Sequence, residues 1–200
     1  MYIITIGREF GSGGHEIARK LSEKLNFKLF DKEIIDETAI KNNVSNSLVE
    51  FYDEQPIPKS IFPMQTDAID IIDKNIPLEQ QIFIAEKQMM QEVAKENNCI
   101  FVGRCGNYIF RDYENAVSFF IVAPLNYRIR RKMKQLDLPY HKTRKLVVKT
   151  DKSRSEYYNF NTGSKWLDTS KYNYILNSAE LGVDGCVEKI IDILKEKGVI

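Results

Sequence analysis

The chain has 200 residues, 43% hydrophobic and 28% charged, with a formal net charge of +1, which is the composition of an ordinary soluble globular domain able to bury a sizeable core. No run approaches the roughly 18 consecutive apolar residues that span a bilayer, and no apolar signal core precedes the first strand-like run, so a cytoplasmic location without membrane partners is expected. The three cysteines, Cys99, Cys105 and Cys186, are odd in number and lack Cys-x-x-Cys spacing, so neither a disulfide framework nor a zinc site is implied.

In chain order, strand-like apolar runs are expected at Tyr2–Ile6, Phe27–Phe30, Cys99–Val102, Val117–Val122 and Tyr172–Leu176, with helical patterns between them. Alternation of this kind predicts a parallel sheet covered by helices on both faces. Leu78 to Asn97 carries a helical stripe through Ile82, Phe83, Ala85, Met89, Met90, Val93 and Ala94, with the methionines read as core filling. Cys186, Val187, Ile190, Ile191 and Leu194 form the inner face of a last helix, stopped by Gly198. Two excursions interrupt the alternation. Residues 40–77 hold Asn42-Asn43, Gln55-Pro56-Ile57-Pro58 and Pro63, a pattern suited to a helical insertion with a loop. Residues 127–160 form a basic excursion, read as two helices parted by Leu138-Pro139. Lysine and arginine crowd Arg128 to Arg154 there, opposed only by Asp137 and Asp151. The rest of the chain is therefore net acidic, and this stretch wants an anionic partner. The whole-domain basicity and aromatic interleaving of a nucleic-acid surface are missing.

The densest signal is Gly7-Arg-Glu-Phe-Gly-Ser-Gly-Gly-His-Glu16, lying between the first strand and a helical run. Glycines let the backbone turn tightly and aim several N–H groups inward, and the helix start adds its positive end, so this order predicts a phosphate cradle made by Gly11, Ser12, Gly13, Gly14 and His15. A Walker-type loop closes on Gly-Lys-Ser/Thr, whereas Gly14 stands here at the lysine and His15 at the hydroxyl residue. A dinucleotide fingerprint counted from Gly11 puts its third glycine on Glu16, yet Asp31 lies where such a fold places its ribose acid. That reading stays open at this stage.

Phosphoryl transfer needs oxygens held in line and fixed donors that meet developing negative charge, work suited to the planar guanidinium fork. Candidates are Arg8 in the loop, Arg104 in the turn after the third strand, and Arg128, Arg131 and Arg154 in the basic excursion. Arg104 also reads as a plain surface turn residue. His15 has two readings, a substitute for the missing cation or an exposed helix-start side chain, and His141 reads as surface.

Ile100-Phe-Val-Gly-Arg104, then Val117–Val122, Ala123 and Arg128–Arg131, resemble the strand, Gly-Arg turn, strand and lid helix of the nucleoside monophosphate kinases, cytidylate kinases among them. Asp151-Lys-Ser-Arg154 looks like their lid motif. Gly11–Gly14, Phe30-Asp-Lys-Glu33, Gly103-Arg-Cys105, and Asp151 to Gly163 with Tyr157-Tyr158 and Trp166 resemble the divergent branch called the cytidylate kinase-like family. The resemblance implies a single three-layer α/β/α P-loop kinase domain over residues 1–200, with a five-stranded parallel sheet and an arginine-rich lid in 127–160. Segment 40–77 would take the place of the monophosphate-binding subdomain. It implies ATP held by the amides of Gly11–His15, Mg2+ with no protein ligand singled out, and Arg128, Arg131 and Arg154 closing over the phosphates, with Arg8 a candidate for the missing cation. Asp31, Lys32 and Arg104 would face a monophosphate acceptor, CMP or dCMP by resemblance, with Asp151 and Arg154 helping to fix it. Val102 and Cys105 stand where cytidylate kinases carry aspartates flanking Gly-Arg. The expected partners are small nucleotides, the expected activity is ATP-dependent phosphoryl transfer, and a nucleotide-binding regulatory protein is the alternative.

Overall fold

The computed structural model describes residues 1–32, 34 and 78–200; the 40–77 insertion lies outside the described residues. Five parallel strands form one sheet in the order β2-β3-β1-β4-β5, built from β1 (Ile3–Arg8), β2 (Lys28–Phe30), β3 (Cys99–Val102), β4 (Ala116–Val122) and β5 (Tyr174–Asn177). Each expected strand is present with its ends shifted by at most two residues, and β3 falls on its expected bounds.

Period-2 alternation sorts β1 between two cores. Ile4 and Ile6 face one apolar cluster with Ile17, Ala18 and Leu21 of α1 (Gly14–Leu25) and Val187, Ile190 and Leu194 of α6 (Ser178–Glu196). Ile3 faces the other, with Met89 and Met90 of α2 (Leu78–Glu96), Ile109 of α3 (Gly106–Ile109), Phe120, and Tyr158 of α5 (Tyr140–Thr162). Three layers result, as the α/β alternation demands. Both methionines are buried in the second core, as expected of gap-filling side chains.

The basic excursion becomes α4 (Leu125–Leu136) followed by α5, parted at Leu138-Pro139. Asp137 takes a left-handed conformation at the end of α4, and Pro139, which lacks an N–H, precedes the first turn of α5. No helix among the described residues is long and apolar enough to cross a membrane.

The central strand decides where a ligand can go. β1 pairs with β3 on one side and β4 on the other, so connections leave in opposite directions at its carboxyl end and open a crevice there. The glycine-rich loop departs from that point.

Candidate active site

The loop turns through left-handed backbone at Gly13, φ 92°, the residue that caps α1, where a side chain would be strained. It thereby delivers the first-turn N–H groups of α1, which lack intrahelical acceptors, to the crevice. Ser12 is buried beneath: its hydroxyl donates to the Glu9 carbonyl at 2.8 Å, and its own carbonyl accepts from the Ser178 hydroxyl at 2.5 Å.

Relative to a Walker loop, Arg8 stands at the first glycine position and Gly14 where the lysine is expected. A Cβ on Gly14 would lie 2.5 Å from the Arg8 Cβ and 2.9 Å from its Cγ. At the far end of the side chain, a Cβ on Gly103 would lie 2.0 Å from Arg8 Nη1. Arg8 thus threads between two bare backbones. No carboxylate pairs with it among the described residues, while desolvation first, then the charges of Arg154 and Arg104, push its pKa down, with Asp31 opposing. Three guanidinium groups, those of Arg8, Arg104 and Arg154, thus lie close enough to act on one another, and together they make this end of the crevice electropositive.

Arg104 sits in a turn in which Gly103, Arg104 and Cys105 all have positive φ, 79°, 49° and 56°. Left-handed backbone at two non-glycine residues costs on the order of 1 kcal/mol each and persists where the surroundings over-determine it. Here they do. Glu86, fully buried on α2, pairs with Arg104 Nη2 at 3.1 Å and accepts a short hydrogen bond from the Tyr157 hydroxyl, while the Tyr157 ring lies 4.8 Å from the Arg104 guanidinium carbon. Burial raises the Tyr157 pKa further still, so its hydroxyl stays protonated and donating. The Cys105 thiol, pushed up to about 12 chiefly by desolvation, is neutral.

The lid helices are tied to the loop by Arg128. This buried residue donates from Nε to the Ala123 carbonyl at 2.9 Å and from Nη1 to the Phe10 carbonyl at 3.1 Å, and pairs with Asp151 at 2.5 Å and Glu9 at 3.2 Å. Asp151 also accepts the Phe10 N–H at 2.7 Å, and Glu9 the Ala123 N–H at 2.9 Å. Arg154 Nη1 donates to the Arg8 carbonyl at 3.0 Å. Arg131 pairs with Glu16 of α1.

Two cavities flank this arrangement. One, of about 260 Å3, is lined by Gly11, Gly13, Gly14 and His15 of the loop and by Arg131 and Lys132 of α4. The other, of about 400 Å3, is lined by Lys32 and Arg104 and runs inward over β1. Arg8 and Arg154 line both.

Most of the residues singled out in the sequence therefore converge from separate elements. Arg128 and Asp151 line neither of these two cavities; Glu9 and the backbone groups of Phe10 and Ala123 join them in a knot under the loop. Ser12 supports the loop from below. His15 stands at the loop's mouth with Nε2 3.1 Å from Asp31, whose other oxygen accepts the Ile34 N–H at 3.2 Å. Among the described residues no cluster of three acidic, histidine or cysteine side chains could cage a metal. Mg2+ that arrives on the phosphates of a nucleotide keeps most of its waters and needs only one or two carboxylates from protein, so such an ion would not require a cluster of that kind. Sequence reasoning missed Glu9, Glu86 and Thr5. A carboxylate inside a phosphate loop was a readable warning that it serves the fold, whereas Glu86 falls within an apolar stripe with no signal of its own.

The family model described as the cytidylate kinase-like family matches residues 3–180. The chain is 22% identical over 195 residues to a cytidylate kinase of Saccharolobus islandicus, covering 96% of this chain and 90% of the relative. Among solved structures it is similar to an uncharacterized protein from Eubacterium ventriosum, with 31% identity, TM-score 0.76 and 98% of each chain covered. It also shares its fold with a shikimate kinase from Bacteroides thetaiotaomicron, at 14% identity and TM-score 0.55, covering 97% of this chain and 98% of that one.

Proposed function

The chain belongs to the cytidylate kinase-like family, and from that premise we propose that it transfers the terminal phosphoryl group of ATP to a nucleoside monophosphate, CMP or dCMP first among them. One observation carries the reading: Arg8 and Arg154 form the shared wall of two cavities, one against the glycine-rich loop and the other against Arg104. A donor polyphosphate on the loop side and an acceptor anion on the Arg104 side would meet across two guanidinium groups. That is the geometry in which a phosphoryl group in flight is best stabilised.

In this reading the loop amides and the start of α1 hold the donor phosphates, with Arg131 and Lys132 lying over them. Lys32 and Arg104 hold the acceptor phosphate, and Glu86 and Tyr157 fix the Arg104 fork. An acceptor phosphate oxygen attacks the γ-phosphorus, the bond to the β,γ-bridging oxygen breaks, and ADP leaves with that electron pair. Arg8 and Arg154 meet the charge that spreads over the equatorial oxygens. Mg2+, when bound with ATP, neutralises β- and γ-phosphate charge. Arg8 takes the place of the loop lysine, supported by the bare Gly14 backbone it crosses and by its having no carboxylate partner among the described residues.

The absent lysine and hydroxyl residue of the loop favour a second reading, a nucleotide-binding regulatory protein with little turnover. Coupled ADP release with CMP, dCMP, UMP, AMP and GMP separates them. The kinase reading expects turnover above the ATPase background with at least one pyrimidine monophosphate; ATP binding without turnover on any acceptor ends it and leaves the regulatory one.

A further inference from the structure

The cavity beside Arg104 has two unlike ends. Its mouth is cationic, with Arg8, Lys32, Arg104 and Arg154. Its most buried lining, taken as its inner end, is Thr5 of β1 with the aromatic rings of Tyr158, Trp166 and Tyr172, none of them charged. The polar groups of those walls are mostly spent on one another. Asn107 Nδ2 donates to the Tyr158 hydroxyl at 2.9 Å and to the Lys171 carbonyl at 3.2 Å, and the Tyr172 hydroxyl donates to the Trp166 carbonyl at 3.3 Å.

Thr5 is the exception. It sits in the middle of β1, 2% exposed, lines this cavity, and its Oγ1 is buried with no hydrogen-bond partner among the described residues. Its methyl side is taken up by Gly106, on which a Cβ would lie 3.1 Å from Thr5 Cγ2. Buried hydroxyls are almost always satisfied, so an orphan on a cavity wall points to a partner that arrives with a ligand.

We propose that the inner end is a recognition chamber for the uncharged base of the acceptor, and that Thr5 Oγ1 is the specificity group that hydrogen-bonds it. The inference rests on the acceptor reading above and deepens it. The ligand class is a phosphomonoester whose far end is a flat, neutral, hydrogen-bonding ring, as in a pyrimidine nucleoside monophosphate. The arginines take the phosphate, the aromatic walls take the faces of the ring, and Thr5 meets its polar edge. A charged group would find no counter-ion at that end, and a ring lacking a polar edge would leave the hydroxyl buried and unpaired.

The test is titration calorimetry of CMP and, separately, of ribose 5-phosphate, which has the anion without the base, each in the presence of a non-hydrolysable ATP analogue and Mg2+. Wild type is compared with Thr5→Val, which keeps the shape and removes the hydroxyl, with Thr5→Ser, which restores it, and with Thr5→Ala as a second deletion should valine not fold. The deletion variants are expected to bind CMP about tenfold more weakly, with ribose 5-phosphate unchanged and serine close to wild type. If the deletions hold CMP as tightly as wild type, Thr5 recognition is overturned while the acceptor reading stands. If wild type holds CMP no tighter than ribose 5-phosphate, base recognition in this chamber is overturned. If wild type binds neither CMP, dCMP nor UMP, the acceptor reading falls as well.

Discussion

Putting back the smallest possible side chain at the lysine position tests the Arg8 exchange directly. In Gly14→Ala the new Cβ would stand 2.5 Å from the Arg8 Cβ, roughly 1 Å inside ordinary carbon contact. That Cβ is anchored to the backbone of β1, so it cannot swing aside as a side-chain tip would. Overpacking of this kind costs about 1–3 kcal/mol, which for a domain of this size is a fall of roughly 2–12 °C in Tm. Arg8 must also leave its seat between Gly14 and Gly103, so turnover is expected to fall about a hundredfold, the usual loss when a phosphate-contacting donor is misplaced. Arg8→Gly should lose turnover similarly, yet keep or raise the Tm of the ligand-free protein, because it removes a cation crowded by Arg104 and Arg154. Joining the two positions as Arg8→Gly with Gly14→Lys should recover at least about tenfold over Arg8→Gly alone, since lysine then has both the room and the task. Thermal unfolding and coupled ADP release read all three. A Gly14→Ala protein with wild-type Tm and wild-type turnover would refute the exchange.

Arg154→Ala is expected to lower turnover about a hundredfold while ATP affinity, by equilibrium titration, changes less than about fivefold; equal losses in both would assign Arg154 to ground-state binding. Arg128→Ala strands Glu9 and Asp151, which are 16% and 18% exposed in their side chains, and should cost about 3–5 kcal/mol, or roughly 6–20 °C in Tm; a shift of under about 2 °C would show the knot to be dispensable. Burial pushes the thiols up, Cys105 to about 12 and Cys99 and Cys186 to about 11. Raised pKa values deplete the thiolate at pH 8, so iodoacetamide should label the native protein less than about a hundredth as fast as the unfolded chain, with the rate climbing as pH rises toward those values. Labelling of any of the three at the unfolded rate would contradict their burial.

Local rules made the sheet and the loop legible in the chain itself. Period-2 apolar runs specified five strands to within two residues, helical stripes specified what covers them, and Gly11-Ser-Gly-Gly14 announced a phosphate cradle, because each of these is a property of neighbouring residues. Leu138-Pro139 parted α4 from α5 for the same reason, a missing N–H and a restricted backbone. Partnership across the fold was not legible. In the sequence Arg128, Arg131 and Arg154 are three equivalent lid cations; in the structure Arg128 is consumed by Glu9 and Asp151, Arg131 by Glu16, and Arg154 alone of the three lines both cavities. Which carboxylate reaches which guanidinium depends on elements more than a hundred residues apart. Likewise, the seat of Arg8 between Gly14 and Gly103 and the lack of a partner for the Thr5 hydroxyl among the described residues came only from tertiary packing, since sequence spacing reports what lies along one element, whereas charge pairing and cavity walls are made where elements cross.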